Sequence, residues 1–222
     1  MSVHSSGEAA LSEPAKQFEL ALVLVNFDSG DHLRNRISKL RPATGEVAVE
    51  IVVVDNASTD GISDGIAEID PEVTVLCNSL NRGYGRACNQ GFKSSSAPFV
   101  CFLNPDIVPE AGSLSGMLQA IGERPEVSVL GPRLVNPDGS IYPSCRVVPK
   151  LGVAMGHAVF GLFTDNNRFT RAYKLIDVNH DAEQEVDWVS GAAMVVRKAF
   201  AQVGGFDEGS FMYVEAWICV PG

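Results

Sequence analysis

The 222-residue chain has few cations and no long apolar run. Lysine and arginine together number 17, against 27 aspartates and glutamates, so the formal net charge is −10 at neutral pH. Phosphate contacts need clustered cations, and this deficit therefore argues against a general nucleic-acid-binding protein. No apolar run approaches the ~18 residues that a helix needs to cross a membrane, which predicts that no such helix is present.

The cysteines are few and show no metal-binding or disulfide pattern. The five are scattered, odd in number and without C-x-x-C spacing, which fits free thiols in a reducing compartment better than a disulfide framework or a zinc site. Residues 1–17 lack the basic start and apolar core of a secretory signal and are interpreted as a disordered polar leader. These features predict a cytoplasmic protein.

From residue 18 to about residue 140, apolar runs of strand length alternate with helix-like segments. The run FELALVLVNF, for example, is followed by a segment with Leu33, Ile37 and Leu40 at helical spacing. Because the runs are apolar throughout, the pattern predicts an α/β fold in which helices cover both faces of a parallel sheet. Ligands bind such sheets outside the carboxyl ends of the strands.

Polar residues collect at three of these predicted strand ends. Asp55 is suited to accept hydrogen bonds from a nucleobase or ribose. Asp106, in FLNPDIVPE, is suited to hold Mg²⁺ or Mn²⁺ together with substrate phosphates. An ordinary Pro-Asp turn is the alternative for that segment, and the second acidic strand end favours the metal site. The polar residues at these ends are Asp55, Asn56, Asn81, Arg82, Asn104 and Asp106.

The segment NRGYGRACNQG adds a candidate anion site. Gly83 and Gly85 would let the backbone approach a ligand, and Arg82 or Arg86 could pair with phosphate. Gly91 falls three positions too late for the dinucleotide fingerprint, which argues against the alternative of a Rossmann oxidoreductase. An anion site beside acidic metal ligands suits a nucleoside diphosphate held through a metal.

Six segments follow one another along the chain: VVVDNASTDG, NRGYGRACNQG, FLNPDI, GPRLVNPDGS, DWVSGAAMVVRKAF and GGFDEGSFMYVE. Together they resemble family 2 glycosyltransferases, and among them the bacterial rhamnosyltransferases of cell-wall and polysaccharide assembly. The resemblance covers residues 18–215 and implies a glycosyltransferase A fold, a Rossmann-like three-layer sandwich with a mostly parallel central sheet. It divides the domain into a donor-binding half at about 18–140 and an acceptor half at about 141–215.

This resemblance implies a metal-dependent, inverting transfer of a sugar, rhamnose from dTDP-rhamnose, onto a lipid-linked or polysaccharide acceptor. A lipid-linked acceptor implies a location at the inner face of the plasma membrane. The D-x-D-like motif would be Asn104-Pro105-Asp106, with Asp106 holding Mg²⁺ or Mn²⁺ and Asn104 assisting. Asp55 would contact the nucleobase.

The remaining site residues follow from the same resemblance. The donor pocket would be lined by Asn81, Arg82 and Asn89, and the acceptor side by Trp188, Gly191 and Ala192. For Trp188, a place in the hydrophobic core is an equally good interpretation.

The end of the chain departs from the family pattern. Glu215 is present, but Ala216 stands where the family usually has the aspartate of an acidic pair. We therefore expect residues 216–222 to be an atypical, truncated or altered tail, and Glu215 to be a substitute general base. The alternative is a catalytically impaired nucleotide-sugar-binding remnant.

Overall fold

A computed structural model describes residues 17–61, 63–142, 144–146 and 182–209. The central sheet has six strands, and it is mostly parallel. Its parallel part consists of β1 (Leu20–Asn26), β2 (Val49–Asp55), β3 (Thr74–Cys77) and β4 (Phe99–Leu103). The strands alternate with helices, as the sequence pattern predicts.

The far edge of the sheet is antiparallel. Strand β10 (Ala193–Arg197) lies between β4 and β5 (Val129–Leu130) and pairs antiparallel with both. The strand order across the sheet is therefore β3-β2-β1-β4-β10-β5. Two short ribbons accompany the sheet. The first consists of β6 (Leu134–Val135) and β7 (Ile141–Tyr142), and the second of β8 (Cys145–Arg146) and β9 (Trp188–Val189).

The helices form layers on both faces of the sheet. They are α1 (Asp31–Thr44), the short α2 (Ile66–Ile69), α3 (Tyr84–Ser94) and α4 (Ser113–Gly122). Two 3-10 turns are also present, at Ser63–Gly65 and Lys198–Val203. The sequence pattern predicts α1 only as far as Leu40, whereas the helix continues to Thr44 with Pro42 in its last turn.

Alternate residues of β1 supply the two halves of the core. Leu20, Leu22 and Leu24 are buried with the apolar sides of α1 and α4, whereas Ala21 and Val23 are buried with α3. The period of two along a strand sends successive side chains to opposite faces. The result is the predicted three-layer sandwich, and the carboxyl ends of β1 to β4 meet at one edge.

The core on the α3 side is rich in phenylalanine. Phe102 of β4 makes an edge-to-face contact with Phe206, their ring centroids 4.8 Å apart, and Phe200 lies 5.3 Å from Phe206. Such pairs add about 0.5–1.5 kcal/mol each beyond the area they bury. They attach the segment after β10 to the centre of the sheet.

Candidate functional site

A layer of buried asparagines supports the loops at the carboxyl edge of the sheet. Asn56, directly after β2 and 2% exposed, donates through Nδ2 to Asn81 Oδ1 at 2.8 Å. Its Oδ1 accepts from Asn78 Nδ2 at 3.2 Å and from the backbone N–H of Arg82 at 3.0 Å. A side chain that satisfies both sides of its amide in this way specifies one loop conformation. Asn56 therefore sets the path of residues 78–83.

Asn26, at the end of the neighbouring strand β1, also holds a loop through both sides of its side-chain amide. Its Nδ2 donates to the hydroxyls of Ser58 and Ser63 at 2.9 and 3.2 Å, and its Oδ1 accepts from the backbone of Ser29. The backbone of Asn56 also donates to the carbonyl of Asn26, at 2.8 Å. The loops after β1 and β2 are thus joined beneath the site.

Asp55 ends β2 and is largely buried. Its Oδ1 accepts the backbone N–H of Ser58 at 3.0 Å, which closes a turn in which Ala57 has a positive φ of 69°. A left-handed alanine costs on the order of 1–2 kcal/mol and persists only where its surroundings enforce it. Among the described residues, no other hydrogen-bond donor reaches the Asp55 carboxylate, and its predicted contact with a nucleobase or ribose stays a prediction.

The predicted donor residues Asn81 and Arg82 lie in the loop between β3 and α3. Asn81 Oδ1 accepts from Gly83 N at 2.9 Å as well as from Asn56, so this side chain shapes the loop. The guanidinium of Arg82 is exposed and makes no hydrogen bond or ion pair within the described part of the chain. Arg82 is therefore the cation at this edge best placed to meet an anionic group.

Asn89 occupies a different position from the other predicted donor residues. It is 4% exposed, and its amide is hydrogen-bonded to the backbone of Phe206 and to a carboxylate oxygen of Glu208. The structure therefore places Asn89 beneath the loop that follows β10. Its assignment to the donor pocket stays a prediction.

The Asn104–Asp106 turn follows β4 and is fastened from two sides. Asn104 N donates to Ala192 O at 2.9 Å, and Ile107 N donates back to Asn104 O at 3.1 Å. From α1, Arg36 donates to the carbonyls of Pro105 and Asp106 at 3.1 and 3.2 Å. The turn is held through its backbone, while the Asp106 side chain is exposed.

Arg36 is an unusual residue to find at this depth, with only 7% of its surface exposed. Burial lowers the pKa of its guanidinium, and the negative charge of Asp106 acts in the opposite direction. An arginine guanidinium does not lose its proton in proteins, so Arg36 remains charged. A buried cation therefore lies directly behind the candidate metal ligand.

One cleft brings the predicted metal turn together with two of the predicted acceptor residues. Asn104, Asp106, Gly191 and Ala192 all line it. Tyr84, at the start of α3, also lines the cleft and donates its hydroxyl to Gly191 O at 3.2 Å. By contrast, Asp55 ends β2, two strand positions from β4 and so on the order of 10 Å away along the same edge. Asn81 follows β3 and is hydrogen-bonded to Asn56, the residue after Asp55.

The residues at the cleft fit a divalent cation that is shared with a substrate. The described residues contain no group of three or more histidine, cysteine or acidic side chains that could enclose a metal by themselves. Asp106 instead offers a single exposed carboxylate, and no described residue hydrogen-bonds to it. Mg²⁺ and Mn²⁺ are commonly bound in this way, by one or two carboxylates with substrate phosphates and water.

Several predicted residues lie wholly or partly outside the described part of the chain. The backbone of Trp188 is in β9, paired with Arg146, and its side chain is not described. Glu215 and Ala216 lie beyond the last described residue, as does the tail 216–222. Their roles stay predictions.

Sequence reasoning missed Arg36 and the structural part played by Asn26. The signal for Asn26 was its position at the end of an apolar run, the same position that singled out Asp55. For Arg36 no local signal existed, because it lies on a helix next to the apolar Ile37 and looks like an ordinary surface cation.

Comparisons with known proteins show the family of this chain. A family model described as Glycosyl transferase family 2 matches residues 22–204. The N-acetylglucosaminyl-diphospho-decaprenol L-rhamnosyltransferase of Mycobacterium tuberculosis is 38% identical over 208 residues, which cover 88% of this chain and 67% of that protein. The low-salt glycan biosynthesis hexosyltransferase Agl10 of Haloferax volcanii is 23% identical over 213 residues, 89% of this chain and 59% of that protein.

Among solved structures, the mannosyltransferase PcManGT from Pyrobaculum calidifontis, in complex with GDP-Man and Mn²⁺, superposes with a TM-score of 0.57. It is 15% identical, and the match covers 88% of this chain and 49% of that one. At this identity the likeness concerns the fold alone. Together with the mostly parallel sheet, it confirms the predicted fold class.

Proposed function

The chain belongs to glycosyl transferase family 2, and on this premise we propose that it transfers rhamnose from dTDP-rhamnose to a lipid-linked N-acetylglucosamine acceptor of cell-wall or polysaccharide assembly. The observation that carries the proposal is the 38% identity, over 88% of the chain, to a protein named for transfer to N-acetylglucosaminyl-diphospho-decaprenol. Such an acceptor lies in a membrane, so we place the reaction at its cytoplasmic face. No described helix is both long and apolar enough to cross a bilayer.

In this proposal the nucleotide binds along the carboxyl edge of the sheet. Asp55 accepts hydrogen bonds from the base or ribose through the carboxylate oxygen that the Ser58 turn leaves unused. Arg82 pairs with the diphosphate, since its guanidinium is exposed and unengaged among the described residues. Asn56 and Asn81 hold the loop that presents it.

The diphosphate would meet the divalent cation at Asp106, with the Asn104 side chain assisting. When bound, such a cation stabilises the negative charge that develops on the leaving diphosphate. The chain's own contribution is to hold the carboxylate at the cleft, through the backbone contacts of the Asn104–Asp106 turn.

The transfer itself is a single displacement. The acceptor hydroxyl attacks the anomeric carbon of rhamnose as the bond from that carbon to dTDP breaks, which inverts the configuration. The hydroxyl proton goes to a carboxylate general base, for which we propose Glu215. Gly191 and Ala192, which line the same cleft as Asp106, would border the acceptor.

Titration calorimetry of the purified chain with dTDP-rhamnose, in Mn²⁺ and in EDTA, tests the donor half of the proposal. We expect Mn²⁺-dependent binding that Asp106→Ala abolishes and that Glu123→Ala leaves unchanged. Glu123 is the matched control, because it is an exposed carboxylate at the far end of α4. Equal affinities for dTDP-rhamnose in Mn²⁺ and in EDTA, or an unchanged effect of Mn²⁺ on the affinity of Asp106→Ala, would overturn the metal assignment.

Two further outcomes bear on the reaction. Tighter binding of GDP-mannose than of dTDP-rhamnose would contradict the proposed donor. Donor binding without rhamnosyl transfer to a lipid-linked N-acetylglucosamine would favour the second candidate, a nucleotide-sugar-binding protein without a working base. Ala216, in the position of the family aspartate, is the observation that keeps this candidate open.

A further inference from the structure

We infer that Arg36 is a positioning residue for Asp106: its buried guanidinium sets the direction in which that carboxylate enters the cleft. The inference rests on the proposed function, because it concerns the carboxylate proposed to hold the divalent cation. Arg36 would not touch the cation or the substrate and would act only through the turn.

The two hydrogen bonds from Arg36 reach the two peptide groups that flank the Cα of Asp106. Nε donates to the carbonyl of Pro105 at 3.1 Å, and Nη2 donates to the carbonyl of Asp106 at 3.2 Å. Each peptide group is planar, so fixing the planes on both sides of one Cα fixes the two backbone dihedrals between them. The direction of the Asp106 Cα–Cβ bond then follows.

Arg36 supplies this restraint where other contacts do not. The peptide after Asp106 is also held by Ile107 N, which donates to Asn104 O. The peptide between Pro105 and Asp106 has a single hydrogen bond within the described part of the chain, the one that Arg36 Nε donates to the Pro105 carbonyl. Without it, this peptide could rotate and swing the carboxylate away from the cleft.

The cost of burying the guanidinium argues that its contacts are specific. Arg36 is buried next to Ile37 and shares helix α1 with Leu33 and Leu40, which pack into the core. A buried cation is tolerated only when it is hydrogen-bonded and near opposite charge. Here it is bonded to two carbonyls and lies near Asp106. The planar fork of arginine can reach both carbonyls at once, whereas a lysine ammonium is a single point of contact.

Mn²⁺ binding in the presence of saturating dTDP, followed by electron paramagnetic resonance of free Mn²⁺, tests the inference. The variants are Arg36→Met, which keeps an apolar stem, and Arg36→Lys, which keeps the charge. Arg41→Met is the matched control, because Arg41 lies on the same helix and makes a two-point contact with Asp70 at 2.5 and 3.1 Å. The affinity for dTDP in EDTA and the melting temperature are measured for each protein.

We expect Arg36→Met to bind Mn²⁺ about 10–100-fold more weakly, the range typical of losing a residue that orients a metal ligand. Arg36→Lys should fall between it and the wild type, and dTDP affinity in EDTA should be unchanged in both. Arg41→Met should melt at a lower temperature but keep the wild-type Mn²⁺ affinity.

Equal Mn²⁺ affinities for Arg36→Met and Arg41→Met would overturn the inference, since only stability would then have changed. If Arg36→Met shows no cooperative melting, the same comparison between Arg36→Lys and Arg41→Met decides. Mn²⁺ binding that persists in the Asp106→Ala variant, with Arg36 intact, would instead contradict the proposed metal site itself. The two failures are therefore distinguishable.

Discussion

Asn89 of α3 and the backbone of Phe206 form a reciprocal pair of hydrogen bonds. Asn89 Nδ2 donates to Phe206 O and Phe206 N donates to Asn89 Oδ1, both at 2.9 Å. The side chain thereby imitates a strand neighbour for the loop that follows β10. It joins the helix of the predicted donor half to the segment leading towards Glu215. Arg86 strengthens the junction by donating to Glu208 O at 3.0 Å.

Replacing Asn89 with alanine should destabilise the protein by roughly 2–3 kcal/mol, because two buried backbone groups of Phe206 lose their partner. Urea unfolding followed by circular dichroism measures the change. Asn35→Ala is the control: Asn35 is exposed on α1, and its replacement should shift the free energy of unfolding by no more than about 0.5 kcal/mol. Equal effects of the two substitutions would show that the Asn89–Phe206 pair adds no stability.

Alanine substitutions at the adjacent Gly204 and Gly205 distinguish the cost of backbone strain from that of steric overlap. Both have positive φ, 92° and 76°, but a Cβ on Gly204 would meet nothing within 4 Å, whereas one on Gly205 would lie 2.5 Å from Asn89 Oδ1. We expect Gly204→Ala to cost about 1–2 kcal/mol from conformation alone. Gly205→Ala should cost a further ~1–3 kcal/mol from overpacking. Similar melting temperatures for the two variants would contradict the close approach of Asn89.

A second pair of glycines tests how closely α3 packs on the sheet. A Cβ on Gly91 would overlap a methyl group of Val23 and lie 3.2 Å from Val54, whereas Gly116 of α4 has open space around it. Gly116→Ala should stabilise the protein by up to about 1 kcal/mol through helix propensity. Gly91→Ala should instead destabilise it by about 1–3 kcal/mol. Thermal unfolding compares them, and a stabilised Gly91→Ala would show that α3 lies further from β1 and β2.

The thiol of Cys77 reports on the charge of Asp55, its neighbour across β2 and β3. Cys77 is an exposed residue, but partial desolvation of its thiol raises the thiol pKa, and the carboxylates of Asp55 and Asp64 raise it further. Because a thiol loses its proton more readily when a nearby negative charge is removed, Asp55→Asn should lower this pKa. The thiolate fraction at pH 8 would then rise.

Alkylation by iodoacetamide at pH 8, quantified at Cys77 by peptide mass spectrometry, should therefore be about two-fold faster in Asp55→Asn than in the wild type. The buried Cys101, whose pKa is raised to about 12, should stay unmodified in both folded proteins. Asp31→Asn, at the exposed start of α1, is the control and should leave the rate unchanged. A slower reaction in Asp55→Asn would contradict the electrostatic coupling.

Much of the candidate site was predictable because its residues directly follow apolar strands. Asp55 and the Asn104–Asp106 turn stand at points where periodicity predicts a strand to end, and parallel strands bring those ends to one edge. The structure places them there. It also places Asn89 against Phe206, 117 positions away in sequence. No local pattern specifies the partner of a side chain over that distance.

The sequence alone determined the alternation of strands and helices, because burial on both faces of a parallel sheet requires continuous apolar runs. Only tertiary structure decided that β10 enters the sheet between β4 and β5, antiparallel to both. It also decided that Arg36 reaches under the Asp106 turn from α1. A strand's hydrophobic pattern says which faces are buried, but neither its neighbours nor its direction. Likewise, a charged residue such as Arg36 can be buried only when packing brings hydrogen-bond acceptors to it from a distant part of the chain.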